Sequence, residues 1–87
     1  MKEFTYVVTD ALGLHARPAG MLTKLAKTIP DAVITITKGE KTVKASQMMM
    51  LMSLAVKQGD TITVRAEGAG EDNAIAVVEK FFNENNV

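Results

Sequence analysis

Segments in which apolar and polar residues alternate constrain the fold of this chain more than any other feature. The alternation occurs in residues 4–8, in residues 34–43 and in residues 62–66. A period of two is typical of β-strands that bury one face. The middle segment contains the turn-forming sequence Lys38-Gly39-Glu40 and is therefore predicted to be a hairpin, which gives four strands in all.

Three other segments have the residue pattern of helices. Apolar residues recur at spacings of three and four over residues 19–29 and again over residues 74–81. The segment 46–54 predicts a short helix with Ser46 as its N-cap, because a serine oxygen can accept an N–H that has no partner in the first turn. Four of the final five residues, 83–87, are polar, and the segment is predicted to fray.

The resulting order is strand, helix, hairpin, short helix, strand, helix. One-sided apolar faces on three helices predict an α+β sandwich in which the helices cover one face of a mostly antiparallel sheet, with its threonine-rich face toward water. The length of 87 residues predicts a single domain, residues 1–87. Since the chain has no cysteine, its stability must come from the core alone.

Charge and hydropathy argue against several classes of function. Lys plus Arg and Asp plus Glu number 10 each, and aromatic residues make up 5% of the chain, which argues against nucleic-acid binding. No apolar run approaches about 18 residues, and the first ten residues lack the pattern of a signal peptide. We therefore expect a soluble intracellular protein with no membrane insertion.

The sequence "GLHARPAG" contains the only histidine, His15. A helix that begins just after it would leave the backbone N–H groups of Ala16 and Arg17 free to bind an anion, and Pro18 is tolerated in such a first turn. A neutral imidazole is a nucleophile, and an arginine can donate hydrogen bonds to two phosphate oxygens at once. The residues thus fit a phosphoryl site, although a simple polar residue at a helix start fits them as well.

Other catalytic chemistries have no support in the sequence. There is no phosphate-binding glycine loop ending in Gly-Lys-Ser/Thr, and one histidine without cysteine argues against zinc. Ser46 and Ser53 are the only serines, and neither lies in a nucleophile turn. We therefore expect no zinc site and no serine nucleophile.

The run "QMMMLMSL" at residues 47–54 has two interpretations. Methionine is a flexible filler of irregular cores, and it is also common on adaptable binding surfaces. A helix this short cannot bury all of these side chains. We therefore expect a mixture of buried and exposed methionines.

Taken together, these motifs resemble the HPr family, the histidine-containing phosphocarriers of the bacterial sugar phosphotransferase system. "GLHARPA" at 13–19, "MSL" at 52–54 and "QGD" at 58–60 carry the resemblance, which covers essentially the whole chain. It implies an open-faced β-sandwich of four antiparallel strands under three helices. It also implies that His15 accepts a phosphoryl group on Nδ1 from phosphorylated enzyme I, with phosphoenolpyruvate as the original donor, and that Arg17 stabilises the charge.

The same resemblance implies the partners. The phosphoryl group would pass to an enzyme IIA domain, and one surface would dock both partners in turn, formed by Met21, Lys24, Gln47, Met48, Met49 and Met52. The protein would be a cytoplasmic monomer that needs no metal or cofactor, and a carrier with a phosphohistidine intermediate rather than a stand-alone enzyme. A serine kinase and a transcription regulator are further partners that the resemblance leaves open.

One departure from the family concerns a regulatory serine at the start of the short helix. Counted back from "MSL", its position falls on Gln47, whereas counted forward from His15 it falls on Ser46. Ser46 is therefore either a kinase target or only an N-cap. Three other functions stay open: a regulatory binding module of the same fold, a relative in a nitrogen-linked branch, and a small RNA binder.

Overall fold

The fold is a four-stranded antiparallel sheet with three helices, seen in a computed structural model that describes all residues, Met1–Val87. The strand order in the sheet is β1-β4-β2-β3, and every neighbouring pair is antiparallel. The α+β open-faced sandwich predicted from the sequence is confirmed. The elements are β1 (Lys2–Val7), α1 (Ala16–Lys27), β2 (Val33–Lys38), β3 (Lys41–Lys44), α2 (Met48–Ser53), β4 (Thr61–Glu67) and α3 (Glu71–Glu84).

The alternation in the strands separates a buried face from an open one. In β4 the side chains of Ile62, Val64 and Ala66 are buried beneath the helices. On the opposite face, a row of threonines at paired positions crosses all four strands: Thr5, Thr63, Thr37 and Thr42. This threonine face has no covering layer, as predicted.

The helices complete the core from one side, and α3 contributes its largest side chain. Helix α3 contacts β1 and β4, while α1 contacts α2 and α3. Phe82 is fully buried, with its ring centroid 4.9 Å from that of Tyr6 and 6.1 Å from that of Phe4. The apolar pattern that predicted this helix covers residues 74–81 and therefore did not include Phe82, the next residue.

The prediction that residues 83–87 fray is wrong. Val87 is only 1% exposed, and its carbonyl oxygen accepts hydrogen bonds from Thr9 N (2.8 Å), Thr9 Oγ1 (3.0 Å) and the Tyr6 hydroxyl (2.9 Å). The polar composition of the segment hides a single apolar side chain that fits the core. Its partners lie in and after β1, at the other end of the sequence, so no local pattern reveals them.

The prediction that Ser46 caps α2 is also wrong. The N-cap is Gln47, whose side chain makes no capping hydrogen bond. Ala45 N donates to Ile34 O (2.8 Å), and Gln47 N donates to Lys44 O (3.2 Å), so the chain continues the sheet and then closes a turn. That turn holds Ser46 outside the helix, which begins one residue later than a serine cap requires.

The end of α2 contains a residue in an unfavourable backbone conformation. Ala55 follows the C-cap Leu54 and has φ +52°, in the left-handed region that favours glycine. Lys38 Nζ donates to the carbonyls of Leu54 (3.2 Å) and Ala55 (2.8 Å) and lies 3.1 Å from Asp60 Oδ2. Lys38 thus ties the end of α2 to the sheet and holds Ala55 in place.

We predict that Ala55→Gly stabilises the protein. Glycine removes the strain of a left-handed alanine, which we expect to raise the free energy of unfolding by about 1 kcal/mol, measured by urea denaturation. The matched control is Ala69→Gly at an exposed site without positive φ, where the extra freedom of the unfolded chain lowers stability by about 0.5 kcal/mol. Equal changes in both variants would contradict the assignment of strain to Ala55.

A second prediction concerns acid stability. The Lys57 N–H (2.8 Å) and the Lys38 ammonium lower the pKa of Asp60 below its usual value. A carboxyl group with a depressed folded pKa stabilises the protein above its unfolded pKa of about 4, and this stabilisation disappears as the pH falls further. We therefore expect Asp60→Asn to be less stable than wild type at pH 7 and to lose less stability between about pH 5 and pH 2.

Chemical denaturation across that pH range measures both effects. Glu40→Gln, in the exposed hairpin turn, is the control, because Glu40 forms neither an ion pair nor a hydrogen bond. If Asp60→Asn lost as much free energy of unfolding between about pH 5 and pH 2 as wild type does, Asp60 would not contribute to the acid sensitivity of the protein.

Candidate functional site

A tight turn over Asp10–Gly13 precedes the start of α1 by two residues. Asp10 O accepts a hydrogen bond from Gly13 N (2.9 Å), and Asp10 Oδ1 accepts one from Leu12 N (2.8 Å). The second bond is an Asx turn, in which a side chain imitates the backbone. Asp10 therefore closes the turn with both its main chain and its side chain.

Glycine is the only residue type that fits at position 13 of this turn. It has φ +65°, and a Cβ added there would lie 2.1 Å from Val56 O. The adjacent Leu14 is buried, and its N–H donates to the same carbonyl oxygen (3.1 Å). The backbone before His15 is therefore fixed against the segment that follows α2.

His15 is the N-cap residue of α1, with an extended backbone at φ −83° and ψ −173°. Its carbonyl accepts Ala19 N (3.0 Å), but its side chain makes no capping bond and is 31% exposed. The imidazole Nε2 lies 3.2 Å from Asp10 Oδ2. The other ring nitrogen, Nδ1, has no hydrogen-bond partner.

The first turn of α1 provides unpaired donors beside the imidazole. Ala16 N and Arg17 N have no hydrogen-bond partner, the first turn contains no acidic residue, and Arg17 forms no ion pair. The helix dipole adds positive potential at this end. Backbone amides, dipole and guanidinium together make the surroundings of His15 suited to an anion.

The carboxyl group of Asp10 is the single acid in this site. The Leu12 N–H is the main cause that lowers the pKa of Asp10, and His15 and Arg17 lower it further. Asp10 is therefore ionised at neutral pH. Six residues line a shallow surface depression around the imidazole: Asp10, His15, Arg17, Pro18, Met21 and Asn85.

Two members of this site were missed by the reasoning from sequence. Asp10 lies five residues before His15 and three residues before Gly13, and an aspartate at that distance from a glycine was a usable signal for an Asx turn. Asn85 is the C-cap of α3, and its Nδ2 donates to Phe81 O (2.9 Å). It reaches the depression because Val87 is anchored to Thr9, which no sequence pattern indicated.

The methionines of α2 divide between core and surface. Leu51 is fully buried and Met48 packs partly against the core, whereas Met49 is 84% exposed. The mixture expected from the sequence is thus what the structure contains. The docking residues predicted by resemblance lie on or just before the contacting helices α1 and α2, and apart from Met48 they are exposed: Met21, Lys24, Gln47, Met49 and Met52.

Ser46 lies away from the imidazole. It is partly buried in the turn after β3 and lines a separate groove beside Lys27, Lys44 and Ile29. No group of three or more histidine, cysteine, aspartate or glutamate side chains is arranged to hold a metal ion. None of the three helices is both long and apolar enough to cross a membrane.

Fold and site together define a class of protein: small α+β domains that hold one partly exposed histidine at a helix start, among donors that suit a phosphoryl group. Residues 2–84 match the family model PTS-HPr, described as the PTS HPr component phosphorylation site. The chain belongs to the HPr family of phosphocarriers of the phosphotransferase system, which confirms the resemblance seen in the sequence.

Individual relatives agree with this assignment. The phosphocarrier protein HPr of Mycoplasma capricolum is 39% identical, over 92% of this chain and 89% of that protein. A solved Mycoplasma histidine-containing phosphocarrier protein superimposes with a TM-score of 0.93 at 35% identity, covering 98% of this chain and 96% of that one. An HPr dimer from Thermoanaerobacter tengcongensis superimposes with a TM-score of 0.77 at 34% identity, covering 100% and 99%.

Proposed function

We propose that His15 accepts a phosphoryl group from phosphorylated enzyme I, charged originally by phosphoenolpyruvate, and passes it to an enzyme IIA domain. The observation that carries this proposal is the His15 imidazole, whose Nδ1 is without a partner at the start of a helix with free amides. A phosphocarrier needs such a nitrogen, accessible to two other proteins in succession. Family membership supports the reaction class.

The transfer uses the ring nitrogen as both nucleophile and leaving group. The lone pair of His15 Nδ1 attacks phosphorus, a bond forms between them, and the bond from phosphorus to the donor breaks with its electron pair leaving on the donor. The bound group carries about two negative charges near neutral pH. Ala16 N, Arg17 N and the Arg17 guanidinium are the donors that stabilise this charge.

The shallowness of the site suits a carrier. A carrier must release its phosphoryl group, so the donors have to favour the transition state more than the phosphorylated protein. One arginine, exposed on the rim, gives stabilisation that solvent moderates. In this proposal the protein needs no metal and no cofactor, and it acts as a carrier with a phosphohistidine intermediate rather than as a stand-alone enzyme.

The partner surface in this proposal is formed by α1 and the start of α2. Its apolar part is Met21, Met48, Met49 and Met52, and its polar part is Lys24 and Gln47. We propose that the protein works in the cytoplasm as a monomer, although an HPr of similar structure forms a dimer. Phosphorylation of Ser46 by a serine kinase, and binding to a transcription regulator, stay predictions from the sequence.

The phosphoryl acceptor is tested by incubating the protein with enzyme I and phosphoenolpyruvate and measuring its intact mass. We expect one added phosphoryl group, which acid removes, because the N–P bond of a phosphohistidine is hydrolysed in acid. His15→Ala should take up none while it keeps the wild-type circular dichroism spectrum. A folded wild-type protein that gains no mass would contradict the proposal.

The docking surface is tested with Met49→Glu. Placing a charge where a methionine becomes buried against the partner forfeits apolar burial of about 1.5 kcal/mol, so kcat/KM for phosphoryl transfer should fall about tenfold. Val33→Glu is the control, because Val33 is 51% exposed on the open face of the sheet. The assigned surface would be wrong if Val33→Glu slowed transfer as much as Met49→Glu, or if neither did.

A further inference from the structure

We infer that Asp10 is a positioning residue for phosphoryl transfer, which keeps the proton of the neutral His15 ring on Nε2 so that the lone pair lies on Nδ1. The inference rests on the proposed function, since it concerns the nitrogen that receives the phosphoryl group. It comes from one contact, Asp10 Oδ2 to His15 Nε2 at 3.2 Å.

The two oxygens of Asp10 have separate partners. Oδ1 accepts the Leu12 N–H at 2.8 Å, and Oδ2 faces His15 Nε2. An ionised carboxylate has no proton to donate, so the nitrogen that it meets must be the N–H of the ring. The other charged group that lines this depression is Arg17, which can only donate hydrogen bonds, so Asp10 is the one charged acceptor available to the ring N–H.

Asp10 is held firmly enough to act in this way. Its carbonyl closes the turn with Gly13 N (2.9 Å), and the preceding residue, Thr9, donates from its backbone N to Val87 O (2.8 Å). The carboxylate is therefore anchored from its own turn and from the end of the chain. A ring that pairs with it has one preferred tautomer and one preferred orientation.

The arrangement lets both transfers proceed without moving a proton. When Nδ1 bonds to phosphorus, the ring becomes a cation whose Nε2–H still faces the Asp10 carboxylate. When the phosphoryl group leaves, the electron pair of the N–P bond returns to Nδ1 and Nε2 keeps its proton. The same neutral tautomer is restored after each cycle, so the ring is ready for the next donor.

Two substitutions separate positioning from a structural role. In Asp10→Asn the side-chain amide has a single acceptor oxygen, which the local Leu12 N–H uses, so its NH2 group faces His15 Nε2 and drives the proton to Nδ1. Asp10→Ala leaves the ring free to adopt either tautomer. Positioning thus predicts that Asp10→Asn is the slower variant, whereas a merely structural role predicts the reverse, because asparagine keeps the Leu12 bond.

The experiment combines NMR with single-turnover kinetics. The chain has one histidine, so ¹⁵N-histidine labelling gives a single imidazole, and long-range ¹H–¹⁵N correlation at about pH 9 reports which nitrogen holds the proton. We expect Nε2–H in wild type, a mixture in Asp10→Ala and a shift to Nδ1–H in Asp10→Asn. Transfer from phosphorylated enzyme I should slow a few-fold in Asp10→Ala and at least tenfold in Asp10→Asn.

The control is Glu3→Gln, which neutralises an exposed carboxylate paired with Arg65 (3.2 Å) and should change neither readout. One tautomer common to all variants would overturn the inference, as would transfer that is slower in Asp10→Ala than in Asp10→Asn. Cooperative urea unfolding of each variant shows that it is folded. If wild type takes up no phosphoryl group, the proposed function fails, and the NMR comparison separately decides whether Asp10 controls the ring.

Discussion

The close approach of Gly13 to the carbonyl of Val56 sets the position of the whole His15 site. A Cβ at residue 13 would lie 2.1 Å from that oxygen, and the next residue, Leu14, hydrogen-bonds to it. This contact fixes where α1 begins, because His15 follows directly as its N-cap. The direction of the free amides and the place of the imidazole both follow from it.

The sheet and the long helices could be predicted because their information is local. Ile62, Val64 and Ala66 alternate along one strand, and each is buried in the structure. The errors came where the deciding partner is distant in sequence. Val87 is ordered by Thr9 and Tyr6, and Gln47 becomes the N-cap because the hydrogen bonds of the preceding segment reach back to β2.

The residues of the site divide in the same way, into those that local sequence could predict and those that depend on distant partners. His15, Ala16 and Arg17 are consecutive, so the physics of a helix start was enough to bring them together. Asp10 joins them across a four-residue turn whose geometry depends on both Gly13 and Val56. Asn85 joins them from the opposite end of the chain, and a motif centred on the histidine holds no information about it.

The distribution of charge around the imidazole follows from the task of a carrier. An anion must bind at one ring nitrogen, so an acid near that nitrogen would repel it, and the first turn of α1 contains none. In the proposed reaction the ring becomes a cation once Nδ1 is phosphorylated, so an acid is favourable at the other nitrogen, which Asp10 faces. The carboxylate of Asp10 faces Nε2 alone, so in this proposal the two nitrogens of His15 have different roles, which a histidine without an acidic neighbour would not have.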